Sequence, residues 1–428
     1  MERMVGEQTI PFGSDLYRAG LRQFETNLGA LLDAYRDSGV PVYIGTVASN
    51  EREQPPFIGA PSAPAASYTA AYTEAERLLA ADRAADAVSA FTRVLEIDST
   101  ADAFYGRARS LGAEARHADA ASDYTAAKDR DRLRFRAPED INRIIRRAGE
   151  APDVHLVETR RRLVTAARHG SIGHDLMLEH LHPNLDGYFL LSDAFYDALR
   201  ETNFPERWAR FIPAESARRE LLLTDIDSLY GAYRVRQLTA AWPFAPPGSS
   251  DRSLDTLRGR TVPERLALDV LTSRKNWYAA TDSLRAWHIG RGDLHEALKA
   301  TLAIIQQYPF LSEPYARAGE ILANQGRLPE ARVYMLASLD RGESAAVLSV
   351  LGEINRILGR TNEAEANLRR ALELRADDAD TMFRLALLLA STNRSEEAAV
   401  LVDRILERSP EHPGATQLAV RLGLTAPR

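Results

Sequence analysis

The feature that most restricts how this chain can fold is a repeat of about 34 residues, marked by a turn and, five residues on, an alanine. "GDLHEA" begins at Gly292, "GRLPEA" at Gly326, "GRTNEA" at Gly359 and "NRSEEA" at Asn393, in almost equal steps. A period of that length holds two antiparallel helices and too little apolar surface for a core of its own, so successive units must stack. Twelve residues before Ala331, Ala364 and Ala398 stand Gly319, Gly352 and Ala386, small enough for two helices to approach closely. The first unit, built around Ala297, departs from this with Arg285 in that place. Pro309 and Pro410 stand at one shared offset after the turns at Gly292 and Asn393, where a proline can end the second helix. The same phase returns upstream in "DRAADA" from Asp82 and "ARHADA" from Ala115, one period apart, with Ala75 and Ala108 in the small position, Ala87 and Ala120 after the turn, and Phe91 and Tyr124 as the large partners.

These units resemble tetratricopeptide repeats (TPR) over about half the chain. The resemblance implies an α-helical solenoid at the C-terminus and a shorter pair upstream. It also implies a groove that takes a protein or peptide partner, with no chemistry of its own.

Between and before the repeats the pattern changes. Residues 15–37 place Leu16, Leu21, Phe24, Leu28, Leu31, Leu32 and Tyr35 at helical spacing, and Gly39 ends that helix. "PVYIGTV" at 41–47 and "DVHLV" at 153–157 read as buried strands flanked by helices, the arrangement of a parallel α/β sheet whose ligands gather at the carboxyl ends of its strands. A proline-rich linker at 54–66 leads into the upstream repeat pair, and "RLRFRAPEDINRIIRRAGE" at 132–150 brings the chain back, with Pro138 at a helix start and Ile141, Ile144 and Ile145 on its apolar face. The expected organisation is mostly α: a partial α/β domain at 1–62 and 132–213, interrupted at 63–131 by two TPR-like units. A helical connector follows at 214–275, with a break after Trp242-Pro243-Phe244, and then a TPR array at 276–428. With 54 Lys and Arg against 60 Asp and Glu, intermixed, no basic face suggests nucleic acid. The longest apolar runs, such as "LALLLA" at 385–390, are too short for a membrane span, "MERMVGEQ" is not a signal peptide, and the absence of cysteine fits any compartment, leaving localisation open.

One loop carries candidate chemistry. "LEHLHPNLDGY" at 178–188 sets Glu179 three residues before His182, with Pro183 holding the histidine extended and Asn184 placed to cap a helix over 187–200. An acid–base reading makes His182 a general base oriented by Glu179, with His180 on the other side of the chain as the weaker base. A metal reading would recruit His174, Asp175, Glu179, His180 and His182, although no recurrent ligand spacing such as His-Glu-x-x-His is present. A third reading is a polar loop at a helix N-terminus.

The order of helix, strand "VYIGTVASN", strand "VHLV" and "EHLHPN" resembles the C-terminal half of the SGNH or GDSL hydrolase superfamily, in the subgroup joined to TPR repeats. The "SNEREQPPF" and "LRFRAP" stretches carry the same resemblance. It implies a serine ester or acyl hydrolase with His182 as the catalytic histidine and Glu179 as its acid, where most members have aspartate. It also implies an acylated sugar or other ester as substrate, and no cofactor or metal. The family's Gly-Asp-Ser nucleophile block and its Gly-x-Asn oxyanion block have no counterpart here. Ser14 lies in "GSD" before a helix instead of after a strand, while Ser49 and Asn50, in the loop after the first strand, are the nearest candidates for substrate contact. The expectation is a chain that starts inside a longer protein and is inactive alone, because a base without a nucleophile cannot run acyl transfer. The alternative is a TPR interaction module with a structural hydrolase remnant.

Overall fold

The computed structural model describes residues 9–61, 64–246, 254 and 257–424, so "MERMVGEQ" and the "GSSDRS" break lie outside the described residues. The chain divides into two units, Met1–Glu220 with Val235–Ser253, and Leu221–Arg234 with Leu254–Arg428. Residues of the expected connector are shared between them.

In the first unit α1 (Asp15–Asp37) starts where the Ser14 hydroxyl accepts the backbone N–H of Tyr17 at 3.2 Å, so Ser14 is a helix cap. Strand β1 (Val42–Gly45) follows. The inserted helices are α2 (Ala66–Ala80), α3 (Ala84–Ile97), α4 (Ala101–Ala113) and α5 (His117–Arg130). Then come α6 (Glu139–Ala148), β2 (Val154–Val157), α7 (Thr159–Ala166), α8 (Leu185–Glu201) and α9 (Ala214–Arg219). The strands pair in parallel with Val42 opposite Val154 and Gly45 opposite Val157, the only strand pair among the described residues. The sequence reads β1 as buried, whereas its residues are half-buried. A two-stranded sheet has two open edges, and with α8 on both strands and α6 on β2 it lacks the cover that fully buries a parallel strand.

Buried charges weld the inserted helices to the strand loops. The Asp131 carboxylate, at the end of α5, accepts the backbone N–H groups of Phe57 at 2.9 Å and Ile58 at 3.1 Å and pairs with Arg136 at 3.1 Å. Arg136 in turn donates to the carbonyls of Asn50 and Gln54, at 2.9 and 2.8 Å. Glu51 is held by Arg160 at 2.9 Å and by the Thr125 hydroxyl at 2.9 Å. Charges this deep persist only when paired and hydrogen-bonded, so α5 of the insertion is tied to the loop after β1.

The second unit runs from α10 (Asp225–Thr239, of which the residues to Arg234 belong here) through α11 (Val262–Leu271), α12 (Trp277–Gly290), α13 (Leu294–Gln307), α14 (Ser312–Asn324), α15 (Leu328–Leu339), α16 (Ala345–Ile357), α17 (Thr361–Leu374), α18 (Ala379–Ser391) and α19 (Ser395–Arg408) to α20 (Pro413–Arg421). Every turn that marks the repeat sits in the left-handed region: Gly292 at φ +76°, Gly326 at +75°, Gly359 at +73° and Asn393 at +61°, and in the first unit Asp82 at +55° and Ala115 at +58°. That conformation reverses the chain between the two helices of each pair. Ala297, Ala331, Ala364 and Ala398 are all 0 % exposed, at the helix crossings. A Cβ on Gly352 would come within 2.6 Å of Leu368, which is why the small position must be small. Arg285 breaks that rule by turning along its own helix to pair with Asp282 at 2.7 Å, and α12 still packs on α13.

Candidate functional site

The loop at 173–184 is folded on itself before α8 begins. Leu178 donates to the His182 carbonyl at 2.8 Å and Asn184 to the Leu176 carbonyl at 2.9 Å, closing a tight turn around Glu179. Asn184 then caps α8, its Oδ1 accepting the Gly187 N–H at 3.0 Å. A side chain at Gly187 would strike the Leu176 carbonyl at 2.2 Å, so the helix can sit this close only because that residue is glycine.

Glu179 is the centre of this turn, 2 % exposed. One carboxylate oxygen accepts the backbone N–H of His180 at 2.7 Å and the other that of His182 at 2.8 Å. The same two oxygens take the Nδ1 atoms of His180 and His182, one each. Two backbone N–H groups and two imidazole nitrogens therefore converge on one buried carboxylate, which sets the orientation of both rings. A glutamate places one oxygen against each ring. Among the described residues no cluster of three or more His, Asp or Glu side chains is arranged to hold a metal ion.

The two histidines meet opposite surroundings. The His182 side chain is half exposed. His180 is buried among the rings of Phe57, Phe135 and Phe244, with centroids 5.4, 5.9 and 5.1 Å away. Burial, then the nearby Arg136 guanidinium and His182, push its pKa down to about 4, so it stays neutral near pH 7. The one carboxylate thus holds both imidazoles through Nδ1, one ring half exposed and the other enclosed.

The loop after β1 reaches this turn through its backbone, with the Asn50 N–H on the His180 carbonyl at 2.9 Å. The Asn50 side chain is engaged within the protein: its Oδ1 accepts the Glu53 N–H at 2.9 Å, and its amide nitrogen lies 3.3 Å from His174 Nδ1. Ser49 is buried beside it. Among the described residues no hydrogen bond joins Ser49 to either histidine. Asn142, which no sequence signal singled out, brackets Val47 with bonds of 2.8 and 3.0 Å and so sets the course of this loop. Its only trace is an amide in the apolar stripe of a helix.

In the second unit the first helices of successive pairs touch directly, α14 on α16, α16 on α18 and α18 on α20, and so line the inner side of the stack. Across that side Arg317 of α14 pairs with Asp282 of α12, and Arg384 of α18 donates to Ser349 of α16 at 2.9 Å. The second helices are linked on the outer side by Arg332–Glu363 at 2.6 Å and Arg394–Glu365 at 2.7 Å.

Residues 357–422 match the tetratricopeptide repeat family model. No curated protein matches the chain. Solved structures with local similarity include the MamA protein (19 % identity, TM-score 0.32, 34 % of this chain and 80 % of that one). Another is YrrB, described as a TPR protein with an unusual peptide-binding site (20 %, TM-score 0.33, 37 % and 81 %). A tetratricopeptide repeat protein from Parabacteroides merdae ATCC 43184 is similar at 20 % identity and TM-score 0.32, over 34 % of this chain and 58 % of that one. No helix among the described residues is long and apolar enough to cross a membrane. On the family match at 357–422 and the recurring turn and buried alanine, the chain carries tetratricopeptide repeats.

Proposed function

We propose that the chain is an interaction module in which the TPR stack holds an extended peptide or a helix of a protein partner. The observation that carries this is the inner side of the stack. Arg317 and Arg384 bridge neighbouring first helices there through Asp282 and Ser349 and offer positive charge that a partner's carboxylate can share, while Glu320 of α14 is exposed and the alanine crossings keep the helices rigid. Peptides selected from a random library on the whole chain test it. They should compete with one another and lose binding when Arg317 or Arg384 is changed to Glu, while Val400→Asp, on an outer helix, leaves binding intact. Selected peptides indifferent to both inner-side changes would refute the reading.

A second reading is supported by the Glu179–His182 geometry: the first unit is the acid–base part of an SGNH-type ester hydrolase, with His182 as base, Glu179 as its orienting acid, and Ser49 and Asn50 near the substrate. The pairing of a buried carboxylate with Nδ1 of a half-exposed imidazole favours it. Its test is complementation. A separately supplied polypeptide with a Gly-Asp-Ser strand and oxyanion donors should produce esterase turnover that His182→Ala removes and Glu179→Gln reduces less; turnover unchanged in His182→Ala would end this reading.

A further inference from the structure

The second unit contains a cleft of about 600 Å³ that neither reading uses, lined by Leu222, Leu223, Asp227, Trp277, Gln306 and Tyr308 among others. Its size is within the roughly 300–1,000 Å³ of small-molecule sites. Two aromatic rings form one wall, Trp277 and Tyr308, 6.3 Å apart at a shallow 33°, and outside the lining Tyr308 meets Phe310 at 6.2 Å. The loop bearing these rings is fixed, because the Pro309 carbonyl accepts the Tyr315 hydroxyl at 3.2 Å and Arg341 Nε at 2.6 Å. The Trp277 ring is fixed too, its Nε1–H donating to Asp227 at 2.7 Å. Gln306 and Gln307 close α13 with exposed amides that bond to no described residue.

These details select among ligands. Asp227 is the one charged group in the lining, and it is spent: one oxygen holds Trp277 and the other takes the N–H and hydroxyl of Thr224, at 2.8 and 2.7 Å. A cation therefore finds no free carboxylate, and an anion finds no Arg or Lys in the lining. A proline-rich peptide is read by an aromatic groove whose indole N–H reaches a backbone carbonyl, and here that N–H is taken. What remains on offer is flat aromatic faces, edged by amides that both donate and accept. That combination fits a ring with an apolar C–H face and a rim of hydroxyls. We propose that this cleft binds a neutral oligosaccharide, with a pyranose ring stacked on Trp277 and its hydroxyls paired to Gln306 and Gln307. The site is independent of both readings above.

The test is titration of the whole chain with neutral hexasaccharides of β-1,4-glucose, α-1,4-glucose, β-1,4-N-acetylglucosamine and β-1,4-mannose, followed by calorimetry and tryptophan fluorescence. At least one should saturate at millimolar concentration or below, and Trp277→Ala should weaken it roughly tenfold or more. Gln306→Ala combined with Gln307→Ala, at exposed positions that leave the fold intact, should weaken it as well. The proposal fails if none of the four saturates, if binding survives both sets of changes, or if a proline-rich peptide competes for Trp277 more tightly than any sugar.

Discussion

At His180 and His182, neighbouring positions in one turn meet different surroundings, one ring enclosed by aromatic side chains and the other half exposed. His180 keeps a pKa of about 4 in the folded chain against an ordinary 6.5, so between those values the unfolded chain binds the extra proton. Stability from this group is therefore complete above about pH 6.5 and is lost as pH falls toward 4, by roughly 1–3 kcal/mol, the Glu179 carboxylate at its Nδ1 tempering the loss. Urea unfolding of the chain between pH 4 and 7 should show that slope, and His180→Gln should flatten it; an unchanged slope in the variant would assign the titration elsewhere. The sequence disclosed the residues here but not their division of labour. Alternation along the chain puts His180 and Glu179 on opposite sides, yet the turn closes so tightly that the carboxylate reaches both rings. The apolar cage, drawn from Phe57, Phe135 and Phe244, is invisible to any local pattern because its members are far apart in sequence.

The helical pairs were the most legible elements, because their logic is local: a left-handed turn, an alanine five residues on, a small residue facing it. Ala115 shows that logic under strain, since an L-residue with a side chain holds φ +58° where three of the other turns use glycine. Ala115→Gly should relieve a left-handed cost of about 1–2 kcal/mol against a loss of about 0.5–1 kcal/mol from the freer unfolded chain, for a net gain of up to about 1.5 kcal/mol. Thermal unfolding of that single variant checks it; destabilisation would mean the turn is not strained. The crossings behave in the opposite way. Ala364 is fully buried with its carbonyl facing Gly352, so Ala364→Leu should overpack the pair and lower stability by about 1–3 kcal/mol, where the same change at exposed Ala366 should do little. The two strands were less legible in burial than in existence. Their β-branched and aromatic composition predicts extended backbone, but how deeply a strand is buried depends on how many others lie beside it.

Over the whole molecule, the repeats and the α/β part place different demands on a partner, and activity separates them. Acyl transfer needs an attacking hydroxyl within reach of the base and N–H donors aimed at the oxyanion, and removing even one such donor typically costs roughly 10²–10³-fold in rate. The first unit supplies an oriented imidazole at His182. Its Ser49 is buried on a neighbouring loop with no bond to that ring, and Asn50 is engaged with Glu53 and His174. Ser14, the other serine weighed from the sequence, caps α1. An imidazole without these companions has no hydroxyl to deprotonate in the right place, so the chain alone should hydrolyse short-chain p-nitrophenyl esters no faster than free imidazole at the same concentration. His182→Ala and Ser49→Ala should leave that background unchanged. Turnover well above imidazole that Ser49→Ala abolishes would make Ser49 a nucleophile and would require the loop after β1 to open toward His182. Turnover lost in His182→Ala but kept in Ser49→Ala would instead point to water as the attacking group, activated by the Glu179–His182 pair itself.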